Sequence, residues 1–218
     1  MSTFPIFIPI KKDSQRVPNK NFRDWGGKPL WRHTIDKYTT NKLQHVYIST
    51  DSEGIIKDCK DIDNVTAYNR EEHLRGHNVS VCKLIADCIQ RFDLSGAMAQ
   101  IHVTNPFLKK HHVWNALKVL SQSESRSCFS CNERQVRFWR KESHGLVPVN
   151  HNPMNLVQTQ DLPIYYEENS CFYIFRTEDV LKTGLRLCSN PLPIVIGSPY
   201  NLDIDTEEDW KFCEVVRG

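Results

Sequence analysis

Short apolar runs of strand type alternate along this chain with segments of helical period, and that alternation restricts the fold more than any other feature. Phe4-Pro5-Ile6-Phe7-Ile8-Pro9-Ile10 reads as a buried strand whose prolines suit strand ends better than a strand centre. Pro29 then opens a helix with Leu30, Trp31, Thr34, Ile35 and Tyr38 at helical spacing. Val46 to Ser49 is a second strand, and Asp51 and Ser52 are N-cap candidates for a helix around Ile55, Ile56 and Cys59. Val65 to Tyr68 is a third strand. Ser80 to Phe92 is an amphipathic helix with Val81, Leu84, Ile85, Cys88, Ile89 and Phe92 on one side. Ala97 to Val103 is the fourth strand, and Val113, Ala116, Leu117 and Leu120 mark the next helix. Parallel neighbours need a crossover between them, so this order predicts an α/β domain with a mainly parallel sheet.

The stretch from Cys128 to Tyr166 breaks the pattern. Two short strands are expected there, around Phe129 and from Val136 to Trp139, followed by a polar segment with little periodicity. Alternation returns with Cys171 to Phe175, a helix near Val180, a strand from Ile194 to Ile196 and a last helix from Thr206. The 218 residues therefore read as one domain carrying an excursion at about 130–165. A chain of this length buries roughly 70% of its unfolded surface and needs no disulfide or metal to fold. Its 28 basic and 26 acidic residues leave a net charge of only +2, which argues against a general nucleic-acid binder. No run approaches the ~20 apolar residues of a membrane span. Phe4 to Ile10 is too short for a signal peptide, and Lys11 and Lys12 follow it instead of preceding it. The expectation is a cytoplasmic protein without membrane or nucleic-acid partners, its eight cysteines reduced. Cys128 and Cys131 with His144 and His151 approach a zinc-finger pattern. The histidine spacing is too long, however, and Gly145 and Pro148 would break the helix such a site needs, so no structural zinc is expected.

The near-zero total hides a polarity. From Pro9 to His33 there are seven basic and two acidic residues; from Asp203 to Glu214 there are six acidic and one basic. Ligands of open α/β sheets sit at the carboxyl ends of the strands, so the loop after the first strand is the first place to look. Lys11, Arg16 and Lys20 are spaced along it as a polyphosphate would require, and a merely solvated basic loop would carry the same charges. Asp203 and Asp205 project to one face of an extended chain, where two carboxylates can hold Mg²⁺. Thr206 with Asp209 has the form of a capping box, and Glu207, Glu208 and Asp209 suit a first helical turn. Ser80 is equally suited to cap its helix. A satisfied strand-end histidine is the simplest account of His102, with hydrogen bonding to a ligand or action as a base as the functional alternatives.

The first loop as a whole, Ile8-Pro9-Ile10-Lys11 through Arg16-Val17-Pro18-Asn19-Lys20-Asn21, resembles the phosphate-binding loop of the CMP-sialic acid synthetase family, the cytidylyltransferases that activate nine-carbon acidic sugars. The likeness continues through Gly26-Gly27-Lys28-Pro29-Leu30, Ser49-Thr50-Asp51 and Thr104-Asn105-Pro106-Phe107. It extends through Gln160-Asp161-Leu162-Pro163, Glu167 to Phe175 and Asp203 to Trp210, in family order over essentially the whole chain. Three positions depart from it. Lys11 stands where the family carries Arg, Gln15 where it carries Lys, and Thr159 where the sialic acid enzymes carry an Arg associated with the sugar acid.

This resemblance implies a Rossmann-like nucleotidyltransferase fold, with helices on both faces of the sheet and a small excursion through which two copies dimerise. It implies transfer of CMP from CTP to an acidic sugar, with Mg²⁺ held by Asp203 and Asp205. Lys11, Lys12, Ser14, Arg16, Lys20, Asn21, Arg70 and Ser80 would lie at the nucleotide, with Lys11, Arg16, Lys20 and Asp205 acting in catalysis. His102, Thr104, Gln160, Asp161, Asn169 and Tyr173 would lie at the sugar, where Arg140 is a candidate partner for the carboxylate. Rival readings are a different sugar nucleotidyltransferase and a non-catalytic nucleotide- or sugar-binding relative.

Overall fold

A computed structural model of the chain describes residues 4–39, 44–76 and 78–218. Among the described residues nine strands are assigned: β1 (Ile6–Ile10), β2 (Val46–Thr50), β3 (Val65–Asn69), β4 (Ala97–Ile101), β5 (Cys128–Arg134), β6 (Trp139–Glu142), β7 (Gly145–Pro148), β8 (Tyr165–Arg176) and β9 (Leu192–Val195). Six α-helices accompany them: α1 (Leu30–Thr39), α2 (Glu53–Cys59), α3 (Val81–Arg91), α4 (Lys110–Ser121), α5 (Thr177–Thr183) and α6 (Glu207–Arg217). Seven strands form one sheet in the order β3-β2-β1-β4-β8-β5-β9, and β6 and β7 form a separate hairpin. Only β8 runs against its neighbours in that sheet. The architecture is α/β with a mainly parallel sheet, as the alternation predicts.

Side-chain direction divides the core. Successive strand residues point to opposite faces. Ile6, Ile8 and Ile10 of β1, Ala99 and Ile101 of β4, and Phe172 and Ile174 of β8 pack on one face against α1, α2, α4 and α6. Phe7, Met98, Tyr173 and Phe175 pack on the other against α3 and α5. Each helix turns its apolar stripe to one of these layers: Leu30, Trp31, Thr34, Ile35 and Tyr38 are the buried residues of α1, and Leu84, Ile85, Cys88 and Ile89 those of α3.

Three expectations change. Pro9 lies inside β1 instead of at an end. The register of β1 with β4 covers only Ile6 and Phe7, so Pro9 falls where no β4 residue is paired to need its missing N–H. The excursion is shorter than expected, because Cys128–Arg134 is a main-sheet strand between β8 and β9 and not part of it. Its small residues Cys128, Ser130 and Cys131 are buried there. The strand expected over Val136 to Trp139 forms instead as the hairpin β6–β7, turning at Ser143 and His144.

The last helix closes the larger core. Trp210 of α6 is 1% exposed and meets Trp25 edge-on at 5.4 Å, with the Arg23 guanidinium 4.1 Å from its own ring centre. Trp210→Ala is expected to cost about 3–5 kcal/mol, through lost burial and the cavity left behind. Urea unfolding checks this: the midpoint should fall with the slope unchanged.

Candidate active site

The carboxyl ends of β1 and β4, the residue after β3 and the first turns of α3 enclose a cleft of about 340 Å³. Lys11, Ser14, Arg16, Lys20 and Asn21 reach it from the first loop, Arg70 from the end of β3, and His102 and Thr104 from the end of β4. Backbone contacts hold these loops. Asp51 accepts the Lys12 N–H at 2.6 Å, and the Asn21 side-chain amide donates to the Lys11 carbonyl at 2.9 Å. Lys11 Nζ donates to the Gly76 carbonyl at 2.9 Å. Burial holds the Lys11 ammonium below the usual lysine range, with repulsion from Arg70 adding to the effect.

Arg70 is only 2% exposed. Its Nε donates to Ser49 Oγ at 3.1 Å and its Nη2 to the Ser49 carbonyl at 2.9 Å. Burial lowers its pKa, so it presents a partly desolvated cation to the cleft.

The acidic segment arrives from the far end of the chain. The Ile204 N–H donates to the Thr104 carbonyl at 2.9 Å, and the Asn105 amide to the Leu202 carbonyl at 3.3 Å. The buried Lys20 ammonium donates to the Ile204 carbonyl at 2.5 Å and lies 3.5 Å from Asp205 Oδ1. Arg16 pairs with the same oxygen at 2.7 Å. Thr206 and Asp209 form a reciprocal capping box, and Asp209 also accepts the Asp205 N–H at 3.0 Å. Asp203 Oδ1 is buried without a hydrogen-bond partner. Burial pushes the Asp203 carboxyl up to about 6, opposed by the Thr104 hydroxyl and reinforced by Asp205.

An unpartnered carboxylate oxygen beside a second carboxylate fits a hard divalent cation. Among the described residues no group of three or more His, Cys, Asp or Glu converges. Mg²⁺ does not require one, since it binds through one or two carboxylates and completes its shell with water and phosphate oxygens. The residues present therefore fit the metal, Asp203 and Asp205 being its candidate ligands.

The model of the cytidylyltransferase family matches residues 6–198. The chain belongs to the cytidylyltransferase family. It is 22% identical to an N-acylneuraminate cytidylyltransferase of Streptococcus agalactiae, over 93% of this chain and 50% of that one. It is 24% identical to a pseudaminic acid cytidylyltransferase of Campylobacter jejuni, over 96% of this chain and 94% of the relative. The chain thus spans about half the length of the N-acylneuraminate cytidylyltransferases it matches. Among solved structures, a CMP:2-keto-3-deoxy-manno-octonic acid synthetase complexed with CTP superposes with a TM-score of 0.68 at 14% identity, covering 100% of this chain and 98% of that one.

In this chain the cleft does not gather every residue singled out in the sequence. The Lys12 and Ser80 side chains do not line it; Ser80 caps α3, accepting the Cys82 N–H at 3.3 Å. Asn169 and Tyr173 do not line it either: Asn169 donates to Asn132 at 3.0 Å, and Tyr173 donates to Glu168 at 2.7 Å with its ring 6.3 Å from that of His102. Arg140 lies on the exposed hairpin and pairs with Glu142. Gln160 and Asp161 sit in an exposed single turn (Thr159–Asp161), joined through the Gln160 carbonyl to Gln135. Glu207 is a helix-start residue and also pairs with Arg23 at 2.7 Å. Two residues that sequence reasoning passed over, Gln100 and Arg186, stand behind His102. They lie 86 positions apart, and no local pattern connects them.

Burial, with help from Arg186 and Lys20, pulls the His102 imidazole down to about 4. In the unfolded chain it returns to about 6.5. Between those values the unfolded state binds more protons, so this contribution is complete above about pH 6.5 and is lost as pH falls toward 4. From about pH 7 to about pH 5 the protein should lose about 2 kcal/mol relative to His102→Gln. Urea midpoints at each pH measure this, and parallel pH curves for the two proteins would contradict the assignment.

Proposed function

We propose that this chain acts as one cytidylyltransferase domain, 1–218, that transfers CMP from CTP to the anomeric hydroxyl of an acidic, nonulosonic-type sugar and releases pyrophosphate. The observation that carries the reading is the pairing of Arg16 and Lys20, both of which line the cleft, with Asp205, in a chain matched by a cytidylyltransferase model. The names of the relatives supply the sugar class.

In the reaction the hydroxyl oxygen forms a bond to the α-phosphorus, the bond from that phosphorus to the bridging oxygen breaks, and the hydroxyl proton leaves to solvent or a base. Such chemistry depends on positioning and charge stabilisation. Lys11, Lys12, Ser14, Arg16 and Lys20 bind and orient the triphosphate, and Asn21 and Arg70 lie at the nucleotide. A triphosphate that takes over Arg16 and Lys20 frees the Asp205 carboxylate to act with Asp203. Mg²⁺, when bound by these two carboxylates, neutralises phosphate charge and favours ionisation of the hydroxyl. His102 and Thr104 face the sugar, with Asn169 and Tyr173 supporting that wall.

Trp139, Leu146, Met154 and Leu156 stand exposed on the excursion and support a homodimer formed through it. Arg140, Gln160 and Asp161 lie on the same excursion and would meet a sugar only across such a pairing. The reading places the protein in the cytoplasm, where CTP is supplied. Among the described residues no helix is long and apolar enough to cross a membrane.

Pyrophosphate release with CTP, Mg²⁺ and a panel of N-acetylneuraminate, pseudaminate and 2-keto-3-deoxy-manno-octonate tests the proposal. Release is expected with at least one sugar, and CTP alone should raise Tm by mass action. Asp203→Ala and Asp205→Ala should each lower the rate by about 10²–10³. Turnover of another nucleoside triphosphate in preference to CTP, or wild-type rates in both variants, would overturn the reading.

A further inference from the structure

Gln100 of β4 is fully buried, on the sheet face that carries Met98 and Tyr173, and its side chain lies between Arg186 and His102. Arg186 Nη1 donates to Gln100 Oε1 at 2.8 Å. A guanidinium can only donate, so it decides which way the Gln100 amide points: oxygen toward Arg186, nitrogen toward His102. Gln100 Nε2 lies 2.6 Å from His102 Nε2. An amide nitrogen cannot accept, so the lone pair in that contact belongs to the imidazole. His102 Nε2 therefore carries no proton, the ring is neutral, and its single N–H is on Nδ1.

Arg186 is itself well held. Its guanidinium lies 3.4 Å from the centre of the Tyr173 ring, and the Tyr173 hydroxyl is anchored on Glu168 Oε2 at 2.7 Å. Two residues further on, the Cys188 N–H donates to Ser127 Oγ at 2.9 Å, fastening the segment between α5 and β9. Such a cation–π contact retains its strength where water is excluded, and Tyr173 is only 1% exposed.

We propose that Arg186, acting through Gln100, is a positioning residue that locks His102 in its Nδ1–H form, so that the cleft offers the acidic sugar a hydrogen-bond donor and not a general base. The substrate half of this inference rests on the proposed function. The lock itself rests on geometry alone. A donor at this point favours a carboxylate, carbonyl or hydroxyl oxygen of the sugar over a group that must surrender a proton.

Long-range ¹H–¹⁵N spectra of the full chain labelled at histidine, with His102→Gln assigning the signal, test the lock without turnover. The wild type should show a protonated Nδ1 and a bare Nε2. Arg186→Met, which removes the donor but keeps an apolar stem over Tyr173, should move the ring toward the Nε2–H form. Gln100→Glu keeps a partner for Arg186 but accepts from both sides, and should drive His102 to carry a proton on Nε2. For the sugar that supports pyrophosphate release in the panel, both variants should raise KM about tenfold, leave the CTP KM unchanged and change kcat less than about threefold. A wild-type Nε2–H signal, or an Nδ1–H signal that survives both substitutions, overturns the lock. A tautomer that switches while the sugar KM stays at its wild-type value overturns the donor role. If no panel sugar is activated, the substrate half falls with the proposed function, and the spectra still decide the lock.

Discussion

Lys20 carries its ammonium out of water, and the geometry of the site depends on where that charge is satisfied. A buried cation persists only when it is both paired and hydrogen-bonded. Here the partners are the Ile204 carbonyl and the Asp205 carboxylate, at the opposite end of the chain. The same acidic segment is joined through Ile204 to Thr104 and through Leu202 to Asn105. Loops from the beginning, middle and end of the chain therefore share one set of contacts. The Trp25–Trp210 pair, with Arg23 against Trp210, repeats the connection a few residues away on the apolar side.

The site stores opposite charges against each other. Arg16 and Lys20 both address Asp205, while Asp203 keeps an oxygen without a donor and a carboxyl near 6. An incoming anion that takes the cations releases one carboxylate beside another, which is the arrangement a divalent cation prefers. The net charge of +2 thus conceals two oppositely charged ends that meet in space. Behind His102, Arg186 and Gln100 act on the imidazole through hydrogen-bond direction.

Much of the fold was legible because side-chain direction repeats locally. The buried stripe of α1 is the set that its spacing singles out, and Ile6, Ile8 and Ile10 separate from Phe7 by strand period. Ser52, Ser80 and Thr206 begin their helices as their residue types favour. The reading failed where neighbours came from elsewhere in the chain. Strand β5 looked like part of the excursion because its partners β8 and β9 follow it by dozens of residues. No residue of the hairpin β6–β7 is fully buried on either face, so no apolar alternation marked it. Ser80 shows the same limit in the site: a cap and a ligand have the same residue type, and the structure assigns its hydroxyl to the Cys82 N–H.

By itself the sequence determined the α/β alternation, the faces of its helices, a basic first loop, an acidic last segment and the family likeness that joins them. Each of these is written in residue type and local spacing, which fix side-chain direction within an element. Tertiary structure decided the order of the strands, the burial of Arg70 against Ser49, the pairing of Arg16 and Lys20 with Asp205, and the protonation form of His102. Those depend on which distant segments share a desolvated space. There a donor must find an acceptor or leave a buried polar group unsatisfied, and spacing along the chain does not encode that choice.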